Sequence, residues 1–268
     1  MIIKEMLYND IRKYKMNKYI ITKCKYEVNI NTIDCARILY VVVAFNDVSL
    51  IKYQFRLLRR FVKEKYSYLV ADNSNDKTSA NMIRMYCMEN QIAYIKLPDN
   101  SLKLSDSHAA ALNWVSRNVL SSLKEVEWIG FIDHDCFPIR EISVYETGQI
   151  FYGLRQERGE KWYLWPGFCF FKTKSIDISK LDFSCTNWGD TGSAMYETIY
   201  NNETGDLCFA ELKYEQILLN EKAKYVQEGQ IEILDGKWCH VSNGSNWLSV
   251  ETANKMDIVY QMLDKILK

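Results

Sequence analysis

The sequence predicts an α/β fold in which helices flank a mostly parallel central sheet. Between residues 38 and 138, short apolar segments alternate with longer segments whose apolar residues recur at helical spacing. Polar residues end the apolar segments abruptly, as at Asn46 and Asp72. Strands that alternate with helices in this way pair in parallel through right-handed crossovers, so this part of the chain predicts a parallel sheet.

Each element of the alternation follows from its own pattern. The first strand is a β-branched apolar run that ends before Asn46, and Ser49 is the expected N-cap of the next helix. The expected strands are residues 38–45, 66–71, 92–97 and 128–132. The expected helices between them are residues 50–62, 78–89 and 107–123. Beyond residue 140 we expect a mixed region, with strands at 150–154 and 165–172 and helices at 193–200, 207–220 and 250–267.

Length alone allows one large α/β domain or two modest ones, and the lack of an internal repeat or a low-complexity linker favours one. The chain has 268 residues, of which 48% are hydrophobic, and this is enough for a sizeable core. We expect an N-terminal extension at residues 1–35 and a single domain at 36–268. The 34 basic residues balance the 34 acidic residues, so no overall charge attracts nucleic acid.

Cysteine usage and the lack of long apolar runs predict a cytoplasmic location. The eight cysteines form no Cys-x-x-Cys pair and follow no leader sequence, so we expect reduced thiols in a cytoplasmic protein. No run reaches the roughly 18 apolar residues of a membrane-spanning helix. A peripheral contact with the inner face of the membrane is compatible with this composition.

Two carboxylates follow the fourth predicted strand. Asp133 and Asp135 are one residue apart, and side chains at i and i+2 of an extended chain project to the same side, while His134 points elsewhere. Such a pair suits a hard divalent cation that also holds phosphate oxygens. The alternative is a polar turn, which any isolated Asp-x-Asp also fits. Asn46 and Asp72 should reach the same edge of the sheet, where ligands of such folds bind.

The order of these signals resembles that of the GT-A glycosyltransferases, and most closely the inverting family 2 enzymes. The motifs that carry the resemblance are Val43-Ala44-Phe45-Asn46, Ala71-Asp72-Asn73-Ser74-Asn75-Asp76, Ala111-Leu112-Asn113 and Asp133-His134-Asp135. They are similar to the family's Pro-x-Tyr-Asn, Asp-Asp-Gly-Ser-x-Asp, Ala-x-Asn and Asp-x-Asp, with Val43 in place of the proline. The resemblance implies a Rossmann-like GT-A fold with a nucleotide-sugar-binding half at 36–140 and an acceptor-binding half at 141–268.

The resemblance also implies the donor-side residues. Asp72 is expected to accept a hydrogen bond from the nucleobase, although a turn former or helix cap is an alternative for this residue type. Asp135, with Asp133 beside it near the ribose, is expected to hold Mn²⁺ or Mg²⁺ at the two phosphates of the donor. His108 is expected near a phosphate. A UDP-sugar is favoured, and the remaining implied donor contacts are Ala44, Phe45, Asn46, Asn113 and His134.

Two residues of the second half complete the expected site. The resemblance implies His240 as a third metal ligand, since GT-A enzymes often use a histidine of the C-terminal region and manganese accepts an imidazole beside carboxylates; the alternative is packing between Trp238 and Trp247. Asp190, in a glycine-flanked loop, is the expected base for the acceptor hydroxyl, with a capped surface turn as the alternative. Two other carboxylates are substitutes for this role: Asp182 and Glu197.

Together these features predict a metal-dependent transferase that moves one sugar, with inversion, to a hydroxyl of a glycan or lipid-linked glycan. The Gln-x-x-Arg-Trp signature of processive synthases is absent, so one sugar is expected per encounter. The resemblance implies a role in surface polysaccharide synthesis. One alternative is a nucleotidyltransferase, although its usual glycine-rich loop is replaced here by Asn46-Asp47-Val48-Ser49. The other is a non-catalytic glycan-binding protein, which the seven tryptophans would suit.

Overall fold

The computed structural model of the chain describes residues 2–202, 205–216, 230–241 and 250–268. Its helices are α1 (Ile2–Ile21), α2 (Val48–Phe61), α3 (Lys77–Glu89), α4 (Leu104–Asn118), α5 (Met195–Thr198) and α6 (Val250–Leu267). Its strands are β1 (Tyr26–Val28), β2 (Ile38–Ala44), β3 (Tyr66–Asp72), β4 (Ala93–Lys96), β5 (Trp128–Ile132), β6 (Cys136–Pro138), β7 (Phe151–Arg158), β8 (Lys161–Lys172), β9 (Leu212–Gln216), β10 (Gln230–Leu234) and β11 (Trp238–His240).

A seven-stranded sheet forms the centre of the fold, in the order β1-β4-β3-β2-β5-β8-β7. Strands β4, β3, β2 and β5 are parallel, whereas β1 at one edge and β8 and β7 at the other pair antiparallel. Every residue of β2 is buried, as expected of an apolar strand that is covered on both faces. The predicted α/β class, with helices around a mostly parallel central sheet, is confirmed.

Helices cover both faces of this sheet. On one face, Met16 and Tyr19 of α1 share a core cluster with Val115 of α4. On the other face, Ile51 of α2 and Ile83 of α3 pack against the alternate side chains of the same strands. The predicted N-terminal extension therefore contains a helix that contributes to the core. The division of the chain into an extension and one domain remains a prediction.

A smaller antiparallel sheet follows, in the order β6-β11-β10-β9. The helix predicted at 207–220 is wrong over its described part, because Leu212–Gln216 forms β9 and pairs with β10. This pairing satisfies the backbone of the segment and outweighs its helical spacing. Residues 217–220 lie outside the described residues. Helix α6 covers this sheet through Met256, Val259 and Leu263.

Several element ends differ from those predicted. Asp47 rather than Ser49 caps α2, since its Oδ1 accepts the Ser49 N–H at 2.6 Å. Helix α4 begins at Leu104 and ends at Asn118, and its last predicted turn is a 3₁₀ segment. The helix predicted at 193–200 is reduced to the short α5. Among the described residues, no helix has the length and apolar composition that a bilayer span requires.

Candidate active site

The two predicted carboxylates lie in a tight turn at the carboxyl end of β5. The N–H of Cys136 donates to the carbonyl of Asp133 at 3.0 Å, which closes the turn. The N–H of Asp133 donates to the carbonyl of Gly167 in β8 at 2.9 Å, which ties the turn to the neighbouring strand. Asp133 is partly exposed, whereas Asp135 is only 3% exposed. The turn therefore has one accessible carboxylate and one enclosed carboxylate.

Pairing of β6 with β11 brings His240 to this turn. His240 is the register partner of the first residue of β6. Three side chains each offer one ligand atom here, and these atoms lie within 4.8 Å of one another: Asp133, Asp135 and His240. The imidazole packs beside Trp165, with ring centroids 4.5 Å apart. Trp247, which was expected to flank His240 in the alternative packing, lies outside the described residues.

Two carboxylates flank the buried imidazole. Nδ1 of His240 lies 2.7 Å from Oε2 of Glu232, and Nε2 lies 3.5 Å from Oδ1 of Asp135. Burial disfavours the charged imidazole, but both carboxylates outweigh burial and raise the pKa of His240 to about 10. Burial likewise opposes ionisation of Asp135, but the attraction of His240 outweighs it and lowers the pKa of this carboxyl. The charged forms of both groups are therefore favoured at neutral pH while no cation is bound, and a cation that binds Nε2 of His240 would displace the proton from it.

This set of side chains fits a divalent cation. Oδ1 of Asp135 is buried and has no hydrogen-bond partner among the described residues. A buried carboxylate oxygen without a hydrogen bond is costly even beside the charged His240, and a cation held there would offset that cost. Two carboxylates beside an imidazole are ligands that manganese accepts. Glu232 holds the far side of the imidazole, as carboxylate partners of metal-bound histidines do.

A second histidine reaches the same turn from α4. Nε2 of His108 lies 3.5 Å from Oδ1 of Asp133, and both side chains are partly exposed. The hydroxyl of Thr191 donates to the carbonyl of Ser105, in the first turn of the same helix, at 3.1 Å. Helix α4 therefore connects the carboxylate turn to the loop that carries Asp190.

The Asp190 loop is ordered by short-range hydrogen bonds. The N–H of Asp190 donates to the hydroxyl of Tyr163 at 3.2 Å, and its Oδ1 accepts the Thr191 N–H at 2.8 Å. Asp190 is exposed. The two substitute carboxylates are engaged elsewhere, because Asp182 accepts the N–H of Ser184 at 2.9 Å and Glu197 pairs with Lys161. Of the three predicted candidates, Asp190 is exposed and takes part in no ion pair with the residues that the structure describes.

Two glycines allow this loop and β8 to approach the carboxylate turn. Gly192 has a φ of 89°, and a Cβ added there would lie 2.8 Å from the ring of Pro166. A Cβ added at the next residue of β8, Gly167, would lie 2.6 Å from Oδ2 of Asp133 and 2.1 Å from the ring of Trp165. Both contacts are too short for any side chain. The absence of a Cβ therefore permits the close packing around Asp133.

Asn46 joins the loops that follow β2 and β3. Its φ of 53° is a left-handed conformation that asparagine tolerates better than most residues. The Asn46 N–H donates to Oγ of Ser74 at 2.8 Å, and its Oδ1 accepts the N–H groups of Asn75 and Asp76 at 3.2 and 3.1 Å. The strand ends that were expected to meet do lie together.

The residues beside Asn46 are largely structural. Ala44 is fully buried at the end of β2. The N–H of Phe45 donates to Nδ1 of the buried His134 at 3.3 Å, so His134 links the first strand end to the carboxylate turn. His134 was predicted to contact the donor, and its Nδ1 already accepts this backbone N–H. Phe45 remains partly exposed.

The observed contacts of Asp72 differ from those expected. Asp72 is fully buried, its Oδ1 accepts the Ser74 N–H at 2.8 Å, and its Oδ2 accepts the Tyr94 hydroxyl at 2.7 Å. Nζ of Lys96 lies 3.6 Å from Oδ1. Asp72 therefore forms the turn, as in the alternative considered for it, and its oxygens do not face an open pocket. Asn73, the next residue, is partly exposed in the same loop.

Asn113 is also engaged within the protein. It is buried in α4, its Oδ1 accepts the Phe183 N–H at 2.7 Å, and its Nδ2 donates to Asp182 and Ser184, both at 3.2 Å. Its amide therefore fixes the segment that leads into the Asp190 loop. The predicted direct contact between Asn113 and a nucleotide-sugar stays a prediction.

Gln54 has a role that the sequence analysis missed. It is fully buried in α2, and its Nε2 donates to the carbonyls of Asp133 and Cys136 at 2.7 and 2.6 Å. Its Oε1 accepts the hydroxyl of Tyr68 at 2.5 Å. A signal was present, since Gln54 is a polar residue at an apolar-face position of an amphipathic helix. Glu232 gave no comparable signal, because its contact with His240 depends on the antiparallel pairing of β10 with β11.

Replacement of Gln54 by leucine should destabilise the protein and loosen the carboxylate turn. The change leaves two buried carbonyls and a hydroxyl without their partner, at a cost of roughly 2–4 kcal/mol. Thermal unfolding should show a Tm lowered by roughly 5 °C or more. Gln261→Leu, at an exposed position of α6, is the matched control and should leave the Tm nearly unchanged. Equal melting of both variants would contradict the role of Gln54.

The chain is similar to solved structures of proteins in complex with nucleotide-sugars. One is a mannosyltransferase, PcManGT from Pyrobaculum calidifontis, in complex with GDP-Man and Mn²⁺, with a TM-score of 0.39 and 11% identity over 60% of this chain and 51% of that chain. Another is residues 1–349 of TarS from S. aureus in complex with UDP-GlcNAc, with a TM-score of 0.41 and 14% identity over 60% and 53%. Each match spans about half of the solved chain. No family model and no curated protein sequence matches the chain.

Proposed function

We propose that the protein is a metal-dependent glycosyltransferase that moves one sugar from a nucleotide-sugar to a hydroxyl of a glycan acceptor, with inversion. The observation that carries the proposal is the convergence of Asp133, Asp135 and His240 within 4.8 Å at the carboxyl edge of a parallel sheet. Ligands of such sheets bind at this edge. The motif resemblance supports the transferase class, the cytoplasmic setting and a role in surface polysaccharide synthesis.

The carboxylate turn is the proposed binding site for Mn²⁺ or Mg²⁺. Asp135 and His240 would hold the cation, with Asp133 as the accessible carboxylate at the mouth of the site. A bound divalent cation would stabilise the negative charge that develops on a departing nucleoside diphosphate. Glu232 keeps the imidazole oriented, and Gln54 keeps the turn closed.

The donor is proposed to bind between the carboxylate turn and the loops joined by Asn46. His108 is proposed to contact a phosphate, and its partial exposure and its position beside Asp133 support this. The partly exposed Phe45 and Asn73 are proposed to line the nucleoside, whereas Asp72 acts by shaping the loop. A UDP-sugar is the favoured donor on the motif resemblance.

Asp190 is the proposed base that removes the proton from the acceptor hydroxyl. A general base must be accessible to substrate, and Asp190 is exposed on a loop that packs against β8 beside Asp133. Its backbone is fixed by Tyr163, so the carboxylate is held on an ordered loop. An inverting transfer requires a base across the sugar from the metal, and Asp190 is proposed to fill that role.

Thermal unfolding with a panel of nucleoside diphosphates tests this function. A ligand that binds only the folded state raises its stability by mass action. We expect one diphosphate, UDP in the favoured case, to raise the Tm by several degrees with Mn²⁺ or Mg²⁺, and by much less with EDTA. Slow hydrolysis of the corresponding nucleotide-sugar, followed by mass spectrometry, should have the same cation requirement. If no diphosphate binds and no nucleotide-sugar is cleaved, the proposal fails.

A further inference from the structure

The outward side of α1 exposes large apolar side chains. Ile11, Tyr14 and Ile21 are 47%, 68% and 82% exposed. They lie at i, i+3 and i+10, which places them along one side of the helix, away from the buried Met16 and Tyr19. Three large apolar side chains along one helix face form a patch of the kind that marks an interaction surface. We refer to Ile11, Tyr14, Lys15, Lys18 and Ile21 as the α1 outer face.

Lysines accompany these apolar side chains. Lys15 and Lys18 belong to the α1 outer face, and two further exposed lysines lie in the same helix or just beyond its end: Lys13 and Lys23. None of them takes part in an ion pair with the residues that the structure describes. Between residues 10 and 23, Asp10 is the only acidic residue. Because the whole chain has no net charge, this is a local positive surface.

Helix α1 is fixed to the rest of the protein. Arg12 pairs with Asp106 of α4, its Nε donating to Oδ1 at 2.7 Å. At the other end, Trp114 donates to the carbonyl of Thr22 at 2.8 Å, and Asn118 donates to the carbonyl of Ile20 at 3.0 Å. The helix therefore cannot rotate to bury its exposed isoleucines without breaking these bonds.

We propose that the α1 outer face docks on an anionic lipid surface. Its isoleucines and tyrosine would enter the interfacial layer, while the lysines would meet acidic headgroups. Lysine side chains can extend past an apolar layer to reach such headgroups. Nucleic acid would match the lysines but gives no reason for Ile11 and Ile21 to be exposed.

Docking would also orient the acceptor side of the site, a step that rests on the proposed function. Besides its pair with Asp106, Arg12 donates to the carbonyl of Cys185 at 3.1 Å. Cys185 belongs to the loop that carries Asp190, and its thiol lies 3.7 Å from the Asp190 carboxylate. Helix α1 would therefore lie between the membrane and the loop that carries Asp190. This suits an acceptor carried by a lipid.

Vesicle flotation with the full chain tests the docking surface. The probes are vesicles of phosphatidylcholine alone and vesicles of phosphatidylcholine and phosphatidylglycerol in equal parts. We expect binding to the mixed vesicles that weakens with added salt. Replacement of Lys13, Lys15, Lys18 and Lys23 by glutamine should weaken binding at least about a hundredfold, since each lysine near an anionic surface contributes roughly fivefold. Tyr14→Ser with Ile21→Ser should weaken it at least about tenfold.

Matched variants control for general loss of charge or apolar surface. One control variant replaces four exposed lysines outside α1 by glutamine and so removes the same charge: Lys65, Lys172, Lys174 and Lys180. The other control, Met82→Ser with Met85→Ser, removes exposed apolar side chains from α3. Both control variants should bind vesicles as the wild type does. Equal binding to the two kinds of vesicle, or wild-type binding by the α1 variants, would overturn the proposal. Binding of these lysines to duplex DNA without binding to vesicles would overturn it as well.

The same variants separate docking from catalysis. Hydrolysis of the nucleotide-sugar in solution, without lipid, should be unchanged in the α1 variants, because none of the replaced residues lies in the candidate active site. If the wild-type protein hydrolyses the nucleotide-sugar but does not bind vesicles, the docking surface alone is refuted. Vesicle binding without any nucleotide-sugar hydrolysis would refute the proposed function alone.

Discussion

Asp135→Asn should lower kcat/KM for sugar transfer by roughly a thousandfold, the loss expected when the charge that faces a developing anion is removed. The substitution removes the charge of one of the two enclosed side chains of the proposed cation site while keeping the size of the side chain. The fold should persist, because the Asp135 carbonyl still accepts the Val241 N–H at 3.1 Å. The variant should also lose the rise in Tm that Mn²⁺ gives to the wild type in the presence of the diphosphate.

Two comparisons make the Asp135 experiment specific. Asp257→Asn removes the same charge from an exposed position of α6 and should leave activity and metal response intact. A glycan-binding protein that works by aromatic stacking should hardly respond to Asp135→Asn. If the variant keeps both turnover and its response to Mn²⁺, the carboxylate turn is not the metal site.

Asp190→Asn should lower kcat by roughly 10² to 10⁴-fold, the usual contribution of a general base. Asparagine can still accept the Thr191 N–H that Oδ1 of Asp190 accepts at 2.8 Å, so the loop should keep its conformation. The Tm rise produced by the diphosphate and Mn²⁺ should be unchanged, because donor binding does not involve this carboxylate. Single-turnover transfer to an acceptor, compared with the thermal shift, measures the two effects separately.

The matched control for Asp190 is Glu197→Gln. Glu197 is another exposed carboxylate of the same region, and it pairs with Lys161 at 2.5 Å. Its replacement should change kcat by less than a factor of about two, since exposed ion pairs contribute little. Loss of diphosphate binding in Asp190→Asn would instead assign this residue to the donor site and remove it as the base.

The first half of the fold could be predicted because its patterns are local. The apolar run of β2 and the abrupt polar residue Asn46 mark a buried strand and its end without knowledge of the rest of the chain. The same holds for Asp133 and Asp135, whose spacing places them at one strand end. His240 was anticipated through the resemblance alone, and its contact with Asp135 depends on the pairing of β6 with β11.

The features that the sequence could not predict depend on distant partners. Asp72 was expected to face a ligand, but its two oxygens accept hydrogen bonds from Ser74 and Tyr94 inside the protein. Nothing in the local motif distinguishes a ligand contact from these internal bonds. The pattern of residues 207–220 predicted a helix, yet residues 212–216 form a strand because they pair with β10. Helix α1 has no clear period, and its place in the core depends on contacts with α4.

The second sheet has a consequence for how the protein is made. All strands of the seven-stranded sheet precede residue 173, whereas His240 arrives with β11 near the end of the chain. Domains usually begin to fold from the N-terminal side during synthesis, and contacts between distant segments form late. A nascent chain on the ribosome would thus acquire its central sheet first and its complete ion-binding triad only at the final step. Under the proposed function, an unfinished polypeptide would be unable to consume activated sugars.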